Sequence, residues 1–200
     1  ELPRLKEALK KRGLEITILT TDILRADEPG AEQLLRAAAQ SGIKRYRLGF
    51  HHYDLKKPIV SQVAALQPVF RDIAAMSREL KIAALYQNHC GADMLGATVW
   101  DLHSLIKEYP VNEISCVFDI RHAIVEGGEA WPVYWNLMRP HLGALSVKDF
   151  RWDKYKSKHV PLGSGQVDPK FFKMLQESDY AGPISVHVEY AGGRGATANV

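Results

Sequence analysis

The sequence has 200 residues, of which 46% are hydrophobic and 24% charged, and its formal net charge is +3. This balance is typical of a folded domain and excludes a disordered chain. The small charge gives no indication of a nucleic-acid partner, and no apolar segment approaches the roughly 18 residues of a membrane helix. Its two cysteines are too few for a disulfide framework, so we expect free thiols in a packed interior. No secretory signal is visible at the start, and a cytoplasmic location is expected.

Hydrophobic periodicity and turn residues predict six helices that alternate with six strands. The predicted helices cover residues 2–12, 31–40, 61–80, 98–109, 129–138 and 168–178. The predicted strands cover residues 14–20, 43–50, 82–87, 113–118, 142–147 and 184–188. Pro68 is expected to interrupt or kink the longest helix, because proline lacks the N–H that a helix interior uses. The glycine-rich residues 191–200 are predicted to form a tail after one domain over residues 1–190.

This alternation predicts a parallel sheet, because each crossover helix returns the chain to the same end of the sheet. The two candidate architectures are an open doubly wound sheet and a closed barrel. In the last strand, Ile184 and Val186 alternate with Ser185 and His187, and a split into apolar and polar faces favours a barrel with a polar mouth. We therefore predict a (β/α)8 TIM barrel. Since only six of its eight strands are visible, the first two βα units are expected to be missing from this chain.

Polar side chains follow four successive predicted strands, at the edge where a barrel carries its reactive groups. They are Gln87 and His89, Asp119 and His122, Ser146 and Lys148, and Glu189. Lys148 shares the strand parity of Ser146 and is therefore expected to point inward, although an isolated lysine is normally exposed. Asp149 has the opposite parity and is expected to anchor the loop that follows.

Five segments then follow one another in a recognisable order. They are YQNHCG at 86–91, FDIRH at 118–122, LSVKDF at 145–150, PLGSGQVD at 161–168 and SVHVEY at 185–190. Together they resemble the xylose isomerase-like TIM barrel superfamily of sugar isomerases and epimerases. The resemblance covers residues 14–190, which would be strands three to eight of that fold.

The resemblance implies one divalent metal held by Glu, Asp, His and Glu from four strand ends. The corresponding residues here are Gln87, Asp119, Ser146 and Glu189, so two of the four positions depart from the pattern. An amide oxygen coordinates a hard cation without adding charge, and a serine hydroxyl is a poor ligand. Gln87, Asp119 and Glu189 are therefore the expected ligands of a weakly held Mn²⁺ or Mg²⁺, and whether metal binds is left open.

The resemblance also implies chemistry at a carbon next to a carbonyl, in which two glutamates usually move the proton. Gln87 cannot accept a proton, so a one-base reaction is expected instead of a two-base epimerisation. The predicted catalytic residues are Glu189 as a base, His89 and His122 as acid, base or hydroxyl binders, and Lys148 beside a developing oxyanion. The predicted substrate-binding residues are Gln87, Ser146 and Trp152.

The basic, aromatic segment 148–159 is predicted to be an exposed loop. The alternative is that it recognises an anionic sugar, with Trp152 stacking on the ring. Gly163 and Gly165 lack the G-K-[ST] ending of a phosphate loop, so we expect a tight turn and no nucleotide cofactor.

The leading functional hypothesis is a sugar isomerase/epimerase-like enzyme that transfers a proton next to the carbonyl of a monosaccharide or its derivative. The alternatives are a keto-sugar lyase or hydratase and a non-catalytic sugar-binding barrel. Phosphodiester cleavage in damaged DNA ranks last, because the strand ends carry too few histidines and glutamates for several zinc ions. The expected partner is a small sugar or sugar derivative, and binding to nucleic acid or to a membrane is not expected. Whether the protein forms a homo-oligomer is left open.

Overall fold

The computed structural model describes residues 2–191, so all but the first residue of the predicted tail at 191–200 lies outside the described residues. The helices are α1 (Leu2–Lys10), α2 (Ala31–Gln40), α3 (Ile59–Leu80), α4 (Trp100–Ile106), α5 (Ile120–Gly127), α6 (Trp131–Met138) and α7 (Lys170–Gln176). The strands are β1 (Leu19–Thr20), β2 (Arg45–Arg47), β3 (Ala83–Gln87), β4 (Ile114–Asp119), β5 (Leu142–Val147), β6 (Asp149–Asp153), β7 (Lys156–Val160) and β8 (Ile184–Val186). Over residues 2–191, none of the helices is both long enough and apolar enough to cross a membrane.

Six strands form one parallel sheet in the order β1-β2-β3-β4-β5-β8. Its register pairs Gln87 with Val117 and Asp119 with Ser146, so the carboxyl ends of β3, β4 and β5 lie at one edge. Parallel pairing with helical crossovers confirms the predicted (β/α)8 architecture, of which residues 2–191 supply six strands.

Two apolar layers lie on opposite faces of this sheet. The main core packs helices on strands, with Phe70 of α3 against Tyr86 and Trp135 of α6 against Phe118. A small second cluster joins Leu85, Val117, Ala144 and Ile18 on the inner face. This division matches a barrel, in which alternate residues of each strand point to the helices and to the interior.

The longest helix, α3, runs without interruption through Pro68, so the predicted interruption is wrong. Pro68 and Ala64, four residues earlier, are both exposed. The carbonyl that loses its helical N–H donor can therefore bond to water, which makes the proline tolerable.

Helix α5 has no counterpart in the predicted elements. It begins directly after Asp119, whose Oδ1 accepts the backbone N–H of His122 at 3.1 Å. This is a side-chain N-cap, which stabilises a helix end by about 1 kcal/mol. Gly128, at φ 52°, ends α5, and the predicted helix 129–138 begins only at Trp131.

The segment predicted as an exposed loop is an antiparallel hairpin of β6 and β7. Its turn contains Lys154 at φ 55°, and Tyr155 beside it is 96% exposed. The base of the hairpin is different, because Asp149 and Phe150 are buried. The predicted exposure is therefore correct for residues 151–156 and wrong for the base of the hairpin, and strand pairing was not predicted.

Asp149 anchors the loop after the hairpin, as its parity predicts. Its carboxylate accepts the backbone N–H groups of Phe150, Gly163, Gly165 and Val167 at 2.8–3.0 Å. A Cβ atom at Gly165 would collide with the Asp149 carboxylate and the Phe150 carbonyl, so only glycine fits there. Gly163 has φ 83°, which confirms the predicted tight turn.

Replacing Asp149 by asparagine is expected to lower the free energy of unfolding by about 3 kcal/mol at neutral pH, because charged hydrogen bonds to buried N–H groups are lost. Burial alone would raise the pKa of Asp149, but its backbone N–H donors outweigh burial and lower it. The stability that the carboxylate supplies is therefore present above the ordinary carboxyl pKa and disappears as the pH falls through the lowered value.

Urea unfolding of wild type and Asp149→Asn between neutral and acidic pH measures this difference, which is expected to shrink in acid. Asp168→Asn is the matched control, since Asp168 is exposed and accepts one backbone N–H, from Lys170. Equal losses in the two variants would contradict the anchoring role of Asp149.

Candidate functional site

Asp119 is the centre of the strand-end cluster and is fully buried. Its Oδ2 atom accepts a hydrogen bond from Gln87 Nε2 at 2.9 Å and lies 3.3 Å from the Lys148 ammonium. Its Oδ1 atom caps α5 through the His122 N–H. Both oxygens of this carboxylate are therefore engaged by N–H donors from three directions.

Lys148 points inward, as its strand parity predicts, and is 3% exposed. Its Nζ atom lies 2.9 Å from Glu189 Oε1, so one ammonium joins two carboxylates from separate parts of the chain. Glu189 also lies 3.4 Å from His187 Nδ1 and 3.1 Å from His159 Nε2. Hydrogen bonds from His187 and Lys148 lower the pKa of Glu189 far below its ordinary value, although burial opposes the shift.

His89 and His122 lie side by side, with ring centroids 4.0 Å apart. His89 Nδ1 is 2.8 Å from the Cys90 carbonyl oxygen. A carbonyl can only accept, so we assign the ring proton to Nδ1 and the lone pair to Nε2. Burial lowers the pKa of His89, which keeps the imidazole neutral at physiological pH.

Arg121 sets the opposite tautomer in His122. Its Nη1 atom lies 3.1 Å from His122 Nδ1 and 3.3 Å from Cys90 Sγ. A guanidinium can only donate, so Nδ1 accepts and the ring proton belongs to Nε2, which lies 3.5 Å from Asp119 Oδ2. Burial, reinforced by the nearby positive charge of Lys148, lowers the pKa of His122 strongly. His122 Nε2 has no hydrogen-bond partner within the described part of the chain, so its N–H can serve a ligand.

Three residues of the site were missed by sequence reasoning. Arg121 and Cys90 flank predicted residues, but nothing in their local pattern indicates that they contact His122. His159 reaches Glu189 because the β6–β7 hairpin pairs it with Phe150, and the sequence had indicated a loop there. A fourth residue, His187, was also left out of the predicted site, although its parity places it on the same face as Glu189.

Two predicted substrate-binding residues lie in different surroundings. Ser146 is fully buried beside Asp119 in the strand register, and its Oγ has no hydrogen-bond partner within residues 2–191. Trp152 is 46% exposed on the hairpin, and its ring packs edge-on against Phe150 at 5.6 Å. Its stacking on a sugar stays a prediction.

The predicted metal ligands are arranged poorly for Mn²⁺ or Mg²⁺. Asp119 Oδ2 can only accept, so Gln87 presents its amide nitrogen and not its oxygen to that carboxylate. The Lys148 ammonium contacts both Asp119 and Glu189. A hard cation requires free oxygen ligands, and this donor set does not fit one.

A second group, His89, Cys90 and His122, has ligand atoms within 4.8 Å of one another. Zinc prefers imidazole and thiolate ligands, whereas manganese and magnesium prefer oxygen ligands. The Arg121 guanidinium already contacts Cys90 Sγ and His122 Nδ1, so a cation would face a positive charge. These side chains therefore form a hydrogen-bonded cluster around Arg121.

A cleft of about 420 Å³ opens between β1 and β8, next to the strand-end cluster. Its lining includes Gln87, His187, Arg47 and Thr20. Gln87 is the residue that this cleft shares with the strand-end cluster.

Comparison with known proteins identifies the protein family to which this fold and this site belong. Residues 1–199 match the family described as xylose isomerase-like TIM barrel, and the chain belongs to this family. A search of curated protein sequences finds no match.

Solved structures show the same fold. A D-tagatose 3-epimerase-like protein has a TM-score of 0.73 at 18% identity, over 92% of this chain and 74% of that one. The probable 3-DHS dehydratase of Bacillus anthracis has a TM-score of 0.72 at 16% sequence identity, and the match covers 92% of this chain and 74% of that one. A xylose isomerase-like TIM barrel protein from Mycobacterium smegmatis, crystallised in complex with magnesium, has a TM-score of 0.67 at 14% sequence identity. This match covers 93% of this chain and 70% of that one. At these identities the similarity establishes the fold.

Ser146→Ala is expected to leave the free energy of unfolding unchanged or to raise it by up to about 1 kcal/mol, because it removes a buried hydroxyl without a partner. Ser77 is the matched control, since it is equally buried but its Oγ is bonded to Tyr46 at 3.0 Å. Ser77→Ala should cost about 1–2 kcal/mol. Denaturant unfolding compares the two, and a similar loss in both variants would show that Ser146 has a partner.

Proposed function

We propose that this protein is an enzyme that moves a proton at the carbon next to the carbonyl of a small keto-sugar or sugar derivative. The observation that carries this proposal is the pair of opposite imidazole tautomers beside a buried ammonium. His89 offers a lone pair at Nε2, His122 offers an N–H at Nε2, and their rings are in contact. A base and an acid side by side are the minimum that such a proton transfer needs.

His89 is the proposed base. Its Nε2 takes the proton from the carbon next to the carbonyl, and the electron pair of the C–H bond moves to the carbonyl oxygen. The low pKa of His89 keeps it deprotonated and ready to accept. Glu189 is the weaker candidate for this role, because its pKa is lowered and its oxygens are engaged by Lys148, His187 and His159. Its proposed role is to hold Lys148.

His122 and Lys148 are the proposed partners of the developing oxyanion. The His122 Nε2 proton can be donated to that oxygen, and Lys148 supplies a positive charge in a buried setting where charge interactions are strong. Returning the proton from His89 to the former carbonyl carbon on the same face, while the hydroxyl on the neighbouring carbon gives its proton back to His122 and becomes the new carbonyl, completes an isomerisation. In a dehydration, the carbonyl forms again as a C=C bond expels the hydroxyl one carbon further along, and the proton from His89 leaves with that hydroxyl as water.

The glutamine at position 87 favours isomerisation or dehydration over epimerisation. Epimerisation returns the proton to the opposite face of the carbon, and Gln87 cannot carry a proton there. Family membership supports an enzyme of this class. The similar folds of an epimerase-like protein and a probable dehydratase are consistent with either outcome.

A non-catalytic sugar-binding barrel is the second candidate. Gln87 and Ser146 favour it, because an amide and a hydroxyl can bind sugar hydroxyls without taking part in proton transfer. Binding of a sugar by calorimetry, with no exchange of its carbon-bound protons, would support this candidate over the enzyme.

His89→Asn is expected to slow proton exchange by at least roughly 100-fold, because it removes the base and keeps a group of similar shape. The measurement is the incorporation of solvent deuterium next to the carbonyl in a panel of keto-sugars and their phosphates, followed by proton NMR.

His103→Asn is the matched control, since His103 lies on α4 and contacts the His141 ring at 5.3 Å. It should exchange at the wild-type rate. An undiminished rate in His89→Asn would disprove the role of this residue as the base.

A further inference from the structure

We propose that Lys148 is the resident cation of the strand-end site and takes the position between Asp119 and Glu189 that a divalent metal would need. The proposal deepens the function given above and rests on it for the role of the ammonium toward a substrate oxyanion. Its test is metal binding, which can be measured whether or not a substrate is known.

The first argument is the position of the ammonium. Lys148 follows β5, Asp119 ends β4, and Glu189 lies beyond β8, yet Nζ is 3.3 Å from Asp119 and 2.9 Å from Glu189. Only 3% of Lys148 is exposed and Asp119 is fully buried, so this ion pair is buried, whereas Glu189, with 43% of its side chain exposed, closes the arrangement from the solvent side. A buried ammonium is stable only when it is paired, and two carboxylates supply that pairing.

The second argument is that both carboxylate oxygens of Asp119 already accept N–H donors. The His122 N–H occupies Oδ1, while Gln87 Nε2 and Lys148 Nζ occupy Oδ2. A metal bound at Oδ2 would have to displace at least one of its two side-chain donors. Neither Gln87 nor Ser146 would add negative charge in return.

The third argument is electrostatic. A divalent ion between these carboxylates would lie within a few ångströms of the Lys148 ammonium, and like charges at such distances repel strongly in a buried site. The ammonium can also replace what a metal would contribute. It has three N–H donors, and its carboxylate contacts in the described part of the chain use two. The third can be donated to a substrate oxyanion.

The experiment is a titration of the purified chain with Mn²⁺, followed by electron paramagnetic resonance and by calorimetry. Wild type is expected to show no binding at this site, and its melting temperature should be the same in EDTA and in Mn²⁺. Lys148→Met keeps the side-chain length without the charge, which frees both carboxylates. It should therefore bind Mn²⁺ at least roughly tenfold more tightly than wild type.

Lys148→Arg is the matched control, because it keeps the charge and should not bind. Mn²⁺ binding by wild type that Asp119→Asn abolishes would overturn the proposal. A folded Lys148→Met variant that binds no better than wild type would also overturn it, since Lys148 would then not be what excludes the metal.

If circular dichroism shows that Lys148→Met does not fold, the wild-type and Lys148→Arg titrations still decide the question. Binding by either that Asp119→Asn removes counts against the proposal, and absence of binding by both supports it. Failure of the proposed enzyme activity would appear separately, as a lack of deuterium exchange in wild type.

Discussion

The buried ammonium of Lys148 is the constraint on which the mouth of this barrel depends. An unpaired charge cannot stay inside a folded protein, so Asp119 and Glu189 must both remain within reach of one nitrogen atom. These carboxylates come from the end of β4 and from beyond β8, and the parallel sheet brings both elements to β5. The ion pairs thus connect three strand ends that the backbone hydrogen bonds have already aligned.

Lys148 and Asp149 are adjacent in the chain but have different structural roles, since Lys148 pairs with carboxylates in the barrel mouth and Asp149 holds the loop after the hairpin. Because they follow β5 with opposite parity, Lys148 points into the mouth while Asp149 points into the loop that closes over the hairpin base. Asp149 collects backbone N–H groups from that loop. The residue that holds the charge of the site is therefore covalently next to the residue that fixes its surroundings, which limits the motion of both.

The imidazole pair illustrates how neutral groups acquire distinct roles from their hydrogen-bond partners. His122 is buried and His89 is half-buried, and the pKa of each is lowered. The Cys90 carbonyl directs the His89 proton to Nδ1, and Arg121 directs the His122 proton to Nε2. Two chemically identical rings thereby present a lone pair and an N–H. In the proposed reaction, this arrangement would supply the base and the acid although position 87 is a glutamine.

The sequence by itself determined the alternation of helices and strands, the (β/α)8 class and the polar residues at the strand ends. These properties are local, because side-chain parity and hydrophobic period are properties of a short segment. Parity alone placed Lys148 inward and Asp149 toward its loop. By contrast, β1 shrank from seven predicted residues to two, because strand length depends on the neighbour that pairs with it.

Only the tertiary structure decided which atoms meet. The contacts of Arg121 with His122 and Cys90, and of His159 with Glu189, depend on rotamers and on hairpin pairing between segments far apart in the chain. The weak strand propensity of Lys156–Val160 concealed that hairpin. The sequence likewise left open whether Gln87, Asp119 and Glu189 hold a metal, whereas the fold brings the Lys148 ammonium between the two carboxylates. The sequence shows which residues carry a charge and of which sign. Which charged groups pair with each other is decided only when the fold brings distant strands into register.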